Sequence, residues 1–213
     1  KSVRLLEPEP NSIEATPGQA SRRAALSAAP RRSSPFRDCG ECPVMVAIGA
    51  GIVSMTLVGP NGRRDDIAIP IARAYAIGRF EITRGEFAAF VADTGYAIEP
   101  GCHTREPVWR LMPERSWRDP GFQQDDRHPV TCVSARDMEA YAGWLSKRTG
   151  RTYRLASDAE WHLAALDAAP REPARQCQVA NGADETARDV EPAWSVAPCR
   201  DGYARTAPVG SFA

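Results

Sequence analysis

The stretch from Cys132 to Ala164 constrains this chain most, because it spells two helix starts and a strand within 33 residues. Ser134 stands where a side-chain oxygen can cap a helix, followed by Met138, Tyr141, Ala142 and Leu145 at helical spacing and by Gly150 as a stop. Arg151 to Leu155 is short and β-prone. Ser157-Asp-Ala-Glu160 then forms a capping box: the serine hydroxyl accepts from the amide three residues on, and the glutamate reaches back. This box opens a short helix whose apolar residues are Trp161, Ala164 and Ala165. Such helix–strand–helix grammar leaves little freedom over how the segment folds.

The same grammar occurs upstream. Thr83-Arg-Gly-Glu86 is another capping box, followed by Phe87, Phe90 and Val91 on one face and by Gly95. Before it, Val44–Val53 with Gly49 and Gly51 inside reads as a strand pair or a bent strand. Ile52–Val58, Ile67–Pro70 and Ala74–Ile82 read as extended, with Gly59-Pro-Asn-Gly62 as a turn. Irregular segments of roughly 97–131 and 168–205 join these elements. The fold class is α+β, with short helices among strands and none of the alternating units of a doubly wound sheet.

Residues 1–36 differ in composition: Pro8, Pro10, Pro17, Pro30 and Pro35, the pairs Arg22-Arg23 and Arg31-Arg32, and few large apolar residues. Such a segment buries too little to offset its ordering entropy, so it reads as a disordered tail or linker. It is compatible with an upstream domain, and residues 37–213 form the folded unit. Lys+Arg and Asp+Glu each number 27, so the net charge is zero, which speaks against nucleic-acid binding or a polybasic membrane anchor. No apolar run reaches the roughly 18 residues of a membrane span.

Six cysteines occur: Cys39, Cys42, Cys102, Cys132, Cys177 and Cys199. All six are disulfide candidates. Cys39-Gly-Glu-Cys42 is a lone C-x-x-C without the second half of a zinc site, which leaves a structural disulfide or two small buried thiols. Cys177 and Cys199 flank a polar loop, and bridging it would stabilise by roughly 3 kcal/mol. That pair predicts an oxidising compartment, periplasmic or secreted, with the cytoplasm as the alternative. His103, His128 and His162 are too scattered for a metal triad, and His128 reads as a loop anchor. Trp109, Trp117 and Trp194 lie in loops, where they either pin the loop to the core or stack on a ligand. Asp125-Asp126 reads as a solvated turn.

The motif CVSARDMEAYAGWLSKRTGRTYRLASDAEWHLA resembles the central pattern of the formylglycine-generating enzyme (sulfatase-modifying factor) family, V-S-W-x-x-A-x-x-Y-x-x-W-L followed by T-G-x-x-Y-R-L-P-[ST]-E-A-E-W. Phe36-Arg-Asp-Cys39 to Pro43 resembles the opening of a bacterial branch of the family. Tyr75–Thr83, Asp119-Pro-Gly-Phe122, His128-Pro-Val130 and Thr206–Phe212 match further motifs in the expected order. The chain departs from the pattern at Ala135, where the family has Trp, at Ala156 and Asp158 in place of Pro and Glu, and at His162. A Trp missing from a packed site leaves a hole unless something refills it.

The resemblance implies a loop-rich, C-type-lectin-like fold and an oxidoreductase class in which copper and oxygen convert a cysteine of a protein substrate to formylglycine. In complete members a Cu(I)-binding cysteine pair lies beyond the equivalent of Phe212. The expectation is therefore a domain lacking its C-terminal part and inactive by itself, with no catalytic residue transferred. The alternatives are a non-catalytic lectin-like binding module for a protein or peptide, and a truncated remnant. The resemblance also implies a calcium site at Asn181, Gly182, Asp201 and Tyr203, an oxygen-only set suited to a hard cation.

Overall fold

The computed structural model describes residues 2–5, 34–105, 108–165 and 175–212, with the backbone alone at residues 2–5 and 105. Its strands are β1 (Ser2–Leu5), β2 (Met45–Ile48), β3 (Gly51–Val58), β4 (Arg64–Ile71), β5 (Tyr75–Gly78), β6 (Cys102–Arg105), β7 (Trp109–Met112) and β8 (Tyr153–Leu155). The helices are α1 (Arg84–Thr94), α2 (Ala135–Thr149), α3 (Asp158–Ala165), α4 (Gln176–Val179) and α5 (Glu185–Arg188).

An antiparallel sheet in the order β2-β5-β1-β8 forms the centre, and β3–β4 and β6–β7 are two separate hairpins. β5 is buried along its whole length. Within the segment read as a tail, Ser2–Leu5 pairs with β5 through Val3↔Ile77 and with β8 through Val3↔Arg154. Composition misses this strand because a sheet position supplies partners for any backbone, whatever the segment's average hydrophobicity. Residues 6–33, which carry the rest of that reading, lie outside the described residues.

The capping boxes decide where the helices begin. Thr83 accepts from the Glu86 amide while Glu86 accepts from the Thr83 amide, and Ser134 and Asp137 do the same at α2. Ser157 and Glu160 repeat the exchange at α3. Gly95 and Gly150 end α1 and α2 in the left-handed conformation that favours glycine.

α1 and α2 bury an aromatic cluster of Phe87, Phe90, Tyr141, Trp144 and Trp117. Trp117 meets Phe87 edge-on at 5.3 Å, so this loop tryptophan pins its loop to the core. Trp144 donates to Asp93 across the two helices at 2.6 Å.

A second cluster joins Ile48, Val53, Tyr75 and Ile77 to Ala159 and Leu163 of α3. It overturns the expected face of α3. Trp161 is 49% exposed, because Ala159 and Leu163, one turn apart, are the residues that meet β3. Position 135 is likewise exposed, so the missing Trp leaves no buried hole. The segments read as irregular hold the β6–β7 hairpin and the one-turn helices α4 and α5.

The terminal ribbon lies against the 125–128 loop and the β5–α1 connection: Val209 donates to the Arg127 carbonyl, and Gly210 sits against the Phe80 ring.

Candidate functional site

The four residues expected to hold calcium come together although up to 22 positions separate them, because a disulfide and a buried carboxylate fold the intervening loop back on itself. Cys177 is bonded to Cys199. Between them, the Glu185 amide donates to the Cys199 carbonyl and Asp184 bridges Ala197. Asp184 is 1% exposed. It accepts from the amides of Thr186 at 2.8 Å and Ala187 at 3.0 Å, which caps α5, and from the amide of Asp201. Burial pushes its carboxyl up, but these amide donors outweigh burial and hold it below the ordinary aspartate value. Sequence reasoning missed Asp184. Its signal was an Asp immediately before Glu185-Thr-Ala-Arg188, the position of an N-cap.

Asp184 thus places Asp201, and Asp201 in turn gathers the remaining members. One of its carboxylate oxygens accepts from the Gly182 amide at 2.9 Å and the other from the Tyr203 amide at 2.8 Å. The Asn181 side-chain amide donates to the Arg205 carbonyl at 2.7 Å. That contact commits the nitrogen and leaves the side-chain oxygen available. The donor set is one carboxylate, one amide oxygen and backbone carbonyls, all hard oxygens, and it fits Ca²⁺ in kind. Among the described residues no three His, Cys, Asp or Glu side chains cluster to hold a metal ion, so a cation here would rest on one carboxylate, the amide oxygen and carbonyls.

The remaining cysteines are also paired, Cys39 with Cys42 and Cys102 with Cys132, so none of the six is free. The C-x-x-C therefore resolves as a disulfide. A copper centre of soft thiolates does not fit this set of residues.

The histidines serve structure. His128 Nδ1 lies 2.9 Å from the Thr206 hydroxyl, tying the H-P-V loop to the terminal ribbon. His162 contacts the Asp158 carbonyl within α3, and the His103 ring stacks on Trp109. Asp125 turns back on its own loop, accepting from the Arg127 amide at 2.8 Å. That amide, together with the neighbouring Arg127 and His128, holds the Asp125 carboxyl below the ordinary value. A cleft of about 420 Å³ opens beside the Cys39–Cys42 turn, lined among others by Arg37, Glu86, Phe80 and Val209.

Residues 31–213 match the sulfatase-modifying factor enzyme 1-like domain. The chain belongs to that family. It is 31% identical to the formylglycine-generating enzyme of Thermomonospora curvata over 79% of this chain and 64% of the relative. It is 28% identical to the mouse enzyme over 68% of this chain and 48% of the relative. The chain thus spans less than two thirds of the length of these relatives. Among solved structures, PvdO from Pseudomonas aeruginosa superposes with a TM-score of 0.64 at 28% identity, covering 86% of this chain and 68% of that one. The expected α+β fold of the sulfatase-modifying factor family is therefore the fold of this chain.

Proposed function

We propose that this chain is a recognition scaffold of the formylglycine-generating type, which holds a protein or peptide segment and does not by itself oxidise cysteine. The formylglycine-generating enzymes it resembles act on protein substrates, and the family scaffold supports the binding half of that activity. The state of the sulfurs supports the other half. Copper-dependent oxidation draws on neighbouring soft thiolates, and all six cysteines are committed to disulfides. The test is a peptide carrying C-x-P-x-R incubated with the purified chain, copper and oxygen. The peptide should keep its mass; the loss that accompanies conversion of cysteine to formylglycine would refute the proposal.

Calcium is part of the proposal as a structural ion. The Asn181 side-chain oxygen, the Gly182 and Tyr203 carbonyls and the Asp201 carboxylate would hold it, and it would supply positive charge that locks the 181–203 loop. Saturating Ca²⁺ should raise the melting temperature, by about 2.7 kcal/mol of added stability at a hundredfold excess over Kd. Asp201→Asn should abolish the rise, and an unresponsive wild-type chain refutes the site. The three disulfides support an oxidising compartment, periplasmic or extracellular.

A binding module without any catalytic partner is the second reading. The β6–β7 hairpin favours it, since Trp109 is 69% and Leu111 55% exposed. Large apolar side chains held outward on a hairpin suit a contact surface. Under this reading Trp109→Ala weakens capture of a peptide ligand while the melting temperature stays unchanged.

A further inference from the structure

Away from the 181–203 loop, the segment that carries the P-G-F motif borders an open recess of about 440 Å³. Arg84, Arg115 and Arg118 line it, and Asp119 is the single carboxylate among its eight lining residues. That carboxylate is already engaged. One oxygen accepts from Arg115 at 3.1 Å and the other from the Gly121 amide at 3.1 Å. Two guanidinium charges are therefore unbalanced within the recess.

Among the described residues neither of the other two arginines finds an anion. Arg84 donates to backbone carbonyls, of Gln124 at 2.8 Å and of Arg118 at 3.4 Å, which fix its position at the first turn of α1. Its Nε is shielded from solvent and has no acceptor among the described residues, so it reports on the recess from behind the guanidinium edge rather than touching a solute in it. A buried donor without a partner is uncommon, because it forfeits its hydration without compensation. Arg118 lies over the face of the buried Trp117 at 4.2 Å. Stacking fixes the plane of a guanidinium and leaves its N–H edge free to donate, the arrangement arginine uses to grip oxyanions bidentately. The site is thus built: one arginine is anchored by carbonyls, one by a carboxylate and one by an aromatic ring.

We propose that this recess binds a phosphoryl dianion carried as a monoester. Two unbalanced charges match a dianion better than a carboxylate. The recess exceeds the size of a lone phosphate, and Phe122 in its lining offers an apolar surface to the stem of an ester. The ester can come from a phosphorylated side chain or from a small metabolite, and the assay separates the two.

The experiment uses the ¹⁵N-labelled chain and follows the Arg84 Nε–H resonance, which is visible because water does not reach it. At constant ionic strength, O-phosphoserine and glycerol 3-phosphate are titrated in parallel, with acetate as the monoanion control. The resonance should shift saturably with a phosphate ester, and the tighter of the two identifies the source. Arg118→Glu should weaken binding at least about tenfold, the loss of one charge-assisted hydrogen-bonded contact. Arg151→Glu, an exposed substitution outside the recess, should leave it unchanged. The proposal fails if neither ester produces a saturable shift, if acetate matches them, or if both variants lose binding equally.

Discussion

Glu160 holds α3 to the central sheet, and replacing it with Gln tests how. Its carboxylate forms a two-point pair with Arg154, at 2.6 and 2.8 Å, and accepts from the Ser157 amide at 2.8 Å. Its own carbonyl accepts from the buried Tyr75 hydroxyl, whose pKa is pushed up to about 12, first by burial and then by the Glu160 charge. The Arg154 hydrogen bonds, assisted by the Ser157 donors, hold the Glu160 pKa at about 2 against burial.

A descent from 4.5 to about 2 sets an upper limit near 3 kcal/mol on what the charged form contributes. The Glu160 side chain is 9% exposed but that of Arg154 is 39% exposed. Solvent screening therefore brings the expected contribution to about 2 kcal/mol. The sign follows from the direction of the shift. A carboxyl with a depressed folded pKa stabilises fully above its unfolded value of about 4.5 and loses that contribution as pH falls towards about 2.

Glu160→Gln should therefore cost about 2 kcal/mol at pH 7, roughly 4–8 °C in melting temperature for a domain of this size. Urea unfolding of both proteins at pH 7, 5, 4 and 3 should show the gap constant down to about pH 5 and narrowing below it. A gap that keeps its full size at pH 3, or one under about 0.5 kcal/mol at pH 7, would show that packing rather than the charge pair secures this helix.

Three further outcomes follow from the same contacts. The Tyr141 hydroxyl is buried without a partner among the described residues, and burial pushes its pKa well above the ordinary phenol value, so Tyr141→Phe should hold or raise stability by up to about 1 kcal/mol in urea unfolding. Replacing Cys177 and Cys199 together with Ser opens a 22-residue separation and should cost roughly 3 kcal/mol in the same assay. Asp184→Ala strips the acceptor from three amides and should cost about 2–3 kcal/mol. Hydrogen exchange should then accelerate at Thr186, Ala187 and Asp201, while the α1–α2 core keeps its protection.

Local chemistry made much of this protein legible in its sequence. The three capping boxes, the glycine stops of α1 and α2 and the Gly59–Gly62 turn act between residues a few positions apart, so their spacing carries the whole instruction. The Cys177–Cys199 pair was readable for a related reason, since the two cysteines flank one polar loop that a bridge between them would close. Motif order alone placed the chain in its family.

Tertiary packing decided the rest. Ser2–Leu5 is a strand only because β5 and β8 offer it hydrogen-bond partners on both sides. Trp161 faces outward because α3 meets the sheet through Ala159 and Leu163, and periodicity within an eight-residue helix cannot choose between its faces. Asp184 and the Arg84–Arg115–Arg118 recess acquire meaning from neighbours far along the chain. Burial, unmatched charge and an unmet donor are properties of where a residue ends up, and no local spacing encodes them.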